Sequence, residues 1–311
     1  MYNVTIFGIH LTLNEIAFHI GNWPIYWYGI IIALGFTLAI IYGMKNAERY
    51  NVNTDKMLDV VIVTTPISIL CARLYYVLFD GQKVTSFSDL LGFGSGEGFS
   101  GIAIYGAVIG AFACGAIMCK IKKIKILDMF DLAATAFLIG QGIGRWGNFM
   151  NQEAFGSPTG SSWFGMTSEN VRADFITNGF DPNALAHPCF LYESIWCIAG
   201  FFVLNHISKK RKFSGQITLL YCVWYGFERA IVENLRTDSL KLFGPIRVSV
   251  VVSVVIFLSA LITLIIVHKK QQTAITDTTY VEMFHDEYDD INNEENDNGE
   301  SVTQEELENN E

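Results

Sequence analysis

The sequence predicts an all-α integral membrane protein with seven transmembrane helices, its N-terminus outside and its C-terminus cytoplasmic, ending in a disordered acidic tail. Three observations predict it. Of 311 residues, 51% are hydrophobic and 14% aromatic, and the mean hydropathy is +0.32, too apolar for an ordinary soluble chain of this length. The apolar residues gather into runs long enough to cross a bilayer, separated by short polar connections. The charge is divided: of thirty-one acidic residues, fourteen follow Lys270, where no Lys or Arg occurs, leaving seventeen against twenty-one basic residues before it. The net charge of −10 therefore belongs to a tail, and the body is mildly basic.

Taken in order, the first span runs from about Pro24 to Met44 and the second from Leu58 to Phe79. A glycine-rich loop, GFGSGEGFSG, leads to a third from Ile102 to Cys119, and a fourth covers Ile126 to Ile143. The stretch from Asn148 to Ala186 is too polar to span. A fifth span follows from His187 to Ile207, a sixth from Gln216 to about Val232, and a seventh from Val248 to His268. Residues 1–270 read as one polytopic domain. The segment 271–311 has too little apolar surface to offset the entropy of folding and reads as a disordered cytoplasmic extension. No basic region precedes the first apolar run, so the start does not read as an ordinary cleaved signal peptide. The six cysteines sit mostly in apolar runs, without metal-ligand or secreted-disulfide spacing.

The basic residues set the orientation. Lys45, Arg49 and Lys56 lie between spans one and two, and Lys120, Lys122, Lys123 and Lys125 between three and four. Lys209, Lys210, Arg211 and Lys212 lie between five and six, and Lys269 and Lys270 follow seven. All four clusters fall on one side, which the positive-inside rule makes cytoplasmic. The basic residues left over include Arg73, Arg145, Arg229, Arg236 and Arg247, arginines in or near spans where topology has no use for them.

Arg145 belongs to GRWGNFMNQEAFG, residues 144–156, where Asn148, Asn151, Gln152 and Glu153 crowd the end of the fourth span. An arginine in or near hydrocarbon costs several kcal/mol, roughly 2.5 and upward according to depth. Its planar guanidinium suits a phosphate held through two parallel hydrogen bonds. The alternative is a structural Arg145–Glu153 pair that stops the helix at the interface. In YGFERAIVENLRTD, the spacing of Tyr225, Arg229, Glu233 and Arg236 places all four on one helical face. That stripe reads as a site facing a wet cavity or, alternatively, as a salt-bridge ladder. HPCFLYES opens the fifth span with Tyr192 and Glu193, readable as an interface anchor with a helix N-terminal carboxylate or as part of a site. Tyr28 in WPIYWYGI fits an aromatic belt equally well, and Gly106 with Gly110 forms a helix-packing GxxxG. No Walker motif, zinc signature or nucleophile elbow occurs. The residues alone reach an integral protein that binds an anionic lipid or phosphate at its outer face.

These blocks resemble a known family. GRWGNFMNQEAFG is similar to the signature of prolipoprotein diacylglyceryl transferases, and ARLYYVLFD, GIAIYGAVIG, HPCFLYES, YGFERAIVENLRTD and RVSVVVS resemble its other blocks in the same order. The resemblance runs from about Trp23 to His268. It implies a multi-pass protein of the bacterial inner membrane that moves diacylglycerol from phosphatidylglycerol to the lipobox cysteine in the signal peptide of a prolipoprotein. A thioether forms and glycerol phosphate leaves. It assigns Arg145 to the phosphate and places Asn148, Glu153, Gly156, Tyr28, Tyr225, Arg229, Glu233 and Arg236 on functional positions. The implied partners are phosphatidylglycerol, prolipoproteins and membrane lipids, with no nucleic acid, metal or cofactor. The family's third span often reads His-Gly-Gly, the histidine being a candidate proton acceptor. Here it is Tyr105-Gly106-Ala107, so Tyr105 is expected to donate a hydrogen bond to the headgroup, with Glu153, Glu233 or water as acceptor. The competing expectation is a transporter or flippase that uses the arginines as a transient phosphate site. No internal repeat between the halves supports it.

Overall fold

A computed structural model describes residues 2–80, 103–237, 241–243 and 246–270. The glycine-rich loop expected before the third span and the acidic tail expected to be disordered lie outside the described residues. By internal contacts the chain divides into two units, Met1–Ala260 and Leu261–Glu311. In the second unit the described residues continue a helix to Lys270. The rest of the architecture belongs to the first.

Among the described residues six helices are long and apolar enough to cross a membrane: α1 (Trp27–Asn46, continued by a 3-10 turn to Tyr50), α2 (Thr54–Asp80), α3 (Ile104–Ile121), α4 (Ile126–Met150), α6 (Cys189–Ser208) and α8 (Val248–Lys270). Between the last two lies α7 (Gln216–Leu235), a 20-residue helix. It forms where the sixth span was expected, but Glu228, Arg229 and Glu233 keep it from being as apolar as the other six. Proline inside α2, Pro66, removes one helical hydrogen bond. The neighbouring hydroxyls of Thr65 and Ser68 bond back to the carbonyls of Val61 and Thr64, at 2.7 Å each.

The sequence of α4 explains its central place. It packs against α1, α6 and α7, and small residues let those neighbours approach. A Cβ on Gly147 would lie 2.8 Å from the Tyr28 ring of α1. The other close pair is α2 with α3. There a Cβ on Gly106 would meet the Cys71 carbonyl at 2.5 Å and one on Gly110 the Cys71 side chain at 2.6 Å. The GxxxG reading as a packing device is correct.

An all-α reading describes the membrane body and misses what caps it. The strands β1 (Tyr2–Ile6) and β2 (Ile9–Leu13) form an antiparallel hairpin, and β3 (Ile16–Ile20) pairs with β4 (Trp23–Tyr26). The turn at Phe7 and Gly8 has positive φ at both residues, 50° and 78°, the geometry that closes a two-residue hairpin without splaying its strands. A further strand, β5 (Met166–Thr167), extends the first hairpin alongside β1. The stretch read as a wet connection holds α5 (Glu169–Asn178), whose Ser168 accepts the Val171 N–H as an N-cap while Gly179 closes the other end. Val4, Phe149, Phe155, Met166, Phe175 and Phe190 join these pieces to α4 and α6 through a small apolar core. A short pair, β6 (Lys241–Phe243) with β7 (Ile246–Arg247), precedes α8.

At the other end of the bundle, Arg211 does more than mark topology. Its guanidinium meets Asp128 at 2.8 Å and Asp131 at 2.9 Å, both carboxylates being buried. Asp131 also accepts from the Gly215 and Thr218 backbone N–H groups, at 2.9 and 2.7 Å. These bonds fasten the turn between α6 and α7 to the start of α4.

Candidate active site

The last turns of α4 carry Arg145 and Asn148, and the chain then turns sharply. Gln152 and Ala154 have φ of 55° and 57°, a left-handed conformation that costs a non-glycine residue about 1–2 kcal/mol. Gln152 is locked in place, fully buried, with its amide donating to the Phe149 carbonyl at 2.5 Å. Held between these two strained residues, Glu153 turns back toward the helix. Its carboxylate accepts from the Asn148 amide at 2.8 Å and from Asn151 at 3.4 Å. Backbone strain that the surroundings enforce in this way is characteristic of functional sites.

Arg145 is not paired with Glu153, so the helix-stop alternative does not describe it. Its ion pair is with Glu193, one turn inside α6. The same guanidinium reaches the Asn148 side-chain oxygen and the Tyr225 hydroxyl, at 3.4 Å each. Glu193 is completely buried and collects two more arginines: Arg229 donates to both of its oxygens at 3.1 Å, and Arg236 lies 3.9 Å away. Arg229 also pairs with Glu233 at 2.7 Å, the expected i,i+4 partner on α7. Glu233 accepts from the Ser249 hydroxyl at 2.5 Å, and its backbone carbonyl accepts from Arg247. Arg145, Arg229 and Arg236 thus converge on one carboxylate while their side chains stay between 15% and 19% exposed. Cations held this way are pre-placed for an anion and need little rearrangement when it arrives.

Tyr28 lies across Gly147 from the arginines and, with Tyr2, Tyr26, Asn151, Glu153 and Asn170, lines a cavity of about 680 Å³. Tyr225 stacks on Tyr221, ring centres 5.7 Å apart. Gly156 sits where three segments cross: a Cβ there would come within 2.9 Å of Cys189, His187 and the Leu235 carbonyl. Its backbone bonds to His187 and bridges to Arg236, so close approach accounts for this glycine. Arg73, which has no acidic neighbour in sequence, lies over the Tyr76 ring at 5.4 Å.

Of the expected site residues, Arg145, Asn148, Glu153, Tyr225, Arg229, Glu233 and Arg236 form one network, and Tyr28 borders it. Tyr105 is not brought into it. That side chain is 41% exposed on α3, with Tyr75 as ring neighbour at 6.5 Å, and among the described residues no hydrogen bond ties it to the arginines. Sequence reasoning underrated Glu193, the centre of the network. Its only signal was position, an acid one turn inside an otherwise apolar span.

The family described as prolipoprotein diacylglyceryl transferase matches residues 15–266. A phosphatidylglycerol–prolipoprotein diacylglyceryl transferase of Bacillus cytotoxicus is 38% identical over 272 residues, covering 87% of this chain and 97% of that protein. A protein of the same name from Limosilactobacillus reuteri is 39% identical, covering 83% of this chain and 93% of its own. One from Lysinibacillus sphaericus is 40% identical, with coverage of 79% and 89%. Similarity of this extent spans the strained turn, the buried glutamate and all three converging arginines, and the chain belongs to the prolipoprotein diacylglyceryl transferase family.

Proposed function

We propose that this chain transfers the diacylglyceryl group of phosphatidylglycerol to the lipobox cysteine thiol of bacterial prolipoproteins, the first step of lipoprotein maturation. The observation that carries the reading is the convergence of Arg145, Arg229 and Arg236 on Glu193, in a chain whose relatives bear the name of that activity. Family membership favours the transferase over a lipid transporter.

The chemistry asks for such a site. The thiol loses its proton and sulfur attacks the glycerol carbon that carries the phosphate. The carbon–oxygen bond breaks, and its electron pair leaves with glycerol phosphate. The phosphodiester therefore gains negative charge as it departs, and guanidinium groups stabilise that charge most where water is scarce. The Arg145 and Arg229 guanidiniums each have five N–H donors, more than their protein partners occupy. In this reading Arg145 holds the phosphate through paired bonds, with Arg229 and Arg236 beside it. Asn148 and Glu153 fix the Arg145 side of the site, while Tyr28 and Tyr225 flank the headgroup. Gly156 keeps the crossing segments close. A hydroxyl role for Tyr105 has less support, because its geometry is that of a ring packed beside Tyr75.

We further infer that α7 also crosses the membrane, as the sixth of seven spans with its charged face turned into the bundle, and that the four basic clusters are cytoplasmic. The cap and the arginines then lie outside, in a bacterial inner membrane. Residues 1–270 form the catalytic body and 271–311 a cytoplasmic tail. The test combines purified protein, phosphatidylglycerol vesicles and a lipobox peptide. Lipidated peptide and free glycerol phosphate are expected in equal amounts. Absence of both, beside a working relative, rejects the reading.

A further inference from the structure

We propose that the Glu228 carboxylate accepts the proton of the substrate thiol, an assignment that rests on the transfer reaction above. Glu228 stands on α7 immediately before Arg229 and is only 4% exposed. Among the described residues neither of its oxygens has a hydrogen-bond partner. An unpartnered carboxylate in so little water is a strong base, because nothing but a proton offsets the cost of its buried charge.

The other acids of the site are committed. Glu193 is taken by Arg145 and Arg229, Glu233 by Arg229 and Ser249, and Glu153 by Asn148 and Asn151. A base is required, because a thiol with a reference pKa of about 8.5 is mostly protonated at pH 7. Tyr105, standing where the resemblance implies a histidine, lies apart from the arginines.

Charged side chains of both signs surround Glu228. Around Glu228 stand Arg145 from α4, Arg229 from its own helix, Glu193 from α6 and Glu233 from α7. Cys197 of α6 is a further ionisable neighbour. The part of α8 that closes over Gly226, through Ser253 and Phe257, has no charged side chain between Val248 and Ala260. In the reaction the S–H proton passes to Glu228 as sulfur forms its bond to carbon. The electron pair of the broken carbon–oxygen bond goes to the phosphate oxygen. As the product leaves and water enters, Glu228 loses the proton to water and returns to its starting carboxylate.

The experiment compares Glu228→Gln and Glu228→Asp with the wild type in the vesicle assay. Gln keeps the shape and cannot accept the proton, so kcat should fall about 100-fold or more, with KM for phosphatidylglycerol within about twofold and membrane abundance unchanged. Its residual rate should rise about tenfold per pH unit up to roughly pH 8.5, as the thiol ionises unaided, more steeply than the wild type. Asp keeps the carboxyl and should stay within about tenfold of wild type. Near-wild-type turnover in the Gln variant overturns the assignment, as does a loss carried by KM with the wild-type pH profile. A wild type that forms no lipidated peptide instead rejects the transfer reaction on which the assignment rests.

Discussion

Arg145 meets its counter-charge 48 positions away, on a different helix, and this separates what lysine can replace from what it cannot. One planar group reaches Glu193, Asn148 and Tyr225 together, which an ammonium on a flexible stem cannot reproduce. Arg145→Lys should therefore lose transfer nearly as completely as Arg145→Ala, each by about 100-fold or more, at equal membrane abundance. Initial rates on the purified variants decide it, and a lysine variant near wild type would mean that charge alone matters there. Glu193→Gln should behave differently. It leaves Arg145, Arg229 and Arg236 short of a buried anion, and removing one partner of a buried ion pair costs about 3–5 kcal/mol. Thermal unfolding in detergent should show a lowered midpoint along with lost activity. An unchanged midpoint would show that the arginines are adequately solvated without it. Arg145, Arg229 and Glu233 were legible in the sequence because charges in apolar runs need a reason. Glu193 and Glu228 were not, because each looks like an ordinary acid until its neighbours on other helices are known.

At the level of elements, apolar runs located most helices to within a few residues, since bilayer thickness fixes their length, but α4 continues seven residues past the expected end at Ile143 and carries Arg145 and Asn148 on its last turns. α7 was legible as well, because its charges keep helical spacing and close on one another through the Arg229–Glu233 pair. Arg229→Ala and Glu233→Ala should each be severe, and the double variant no worse than the poorer single, in a rate comparison at equal abundance. Additive losses would show that the two side chains act separately. The strands and α5 escaped notice for a physical reason. They are two to ten residues long, and α5 buries only Val171 and Phe175, too little to mark a periodic face. The α2–α3 pair makes its own prediction. Gly110→Val places atoms where Cys71 already lies, so overpacking should cost about 1–3 kcal/mol. Reduced membrane abundance with unchanged turnover per molecule is expected, and lost turnover at full abundance would instead tie this glycine to the chemistry.

At the scale of the whole molecule, sidedness decides whether the arginines can meet their substrates. A prolipoprotein cysteine emerging from translocation and a headgroup of the outer leaflet are both reached from outside. In the proposed orientation the lysine clusters face the cytoplasm, as the membrane-insertion preference expects, and the acidic residues after Lys270 have little influence on that preference. Two exposed positions separate the alternatives. Trp163, 71% exposed, belongs to the cap, and Lys125, also exposed, belongs to the basic turn before α4. The native cysteines give little background, since Cys119, Cys189 and Cys197 are buried and Cys71, Cys114 and Cys222 are partly covered. In intact cells an impermeant thiol reagent should label Trp163→Cys strongly and Lys125→Cys no more than the unsubstituted protein. After the membrane is opened, both should react. Ending the chain after Lys270 removes fourteen acids and no basic residue, so the labelling pattern and the rate of lipid transfer should both survive the truncation. Labelling of Lys125→Cys from outside would invert the bundle, put the arginines on the cytoplasmic side, and separate them from the thiol they are proposed to serve.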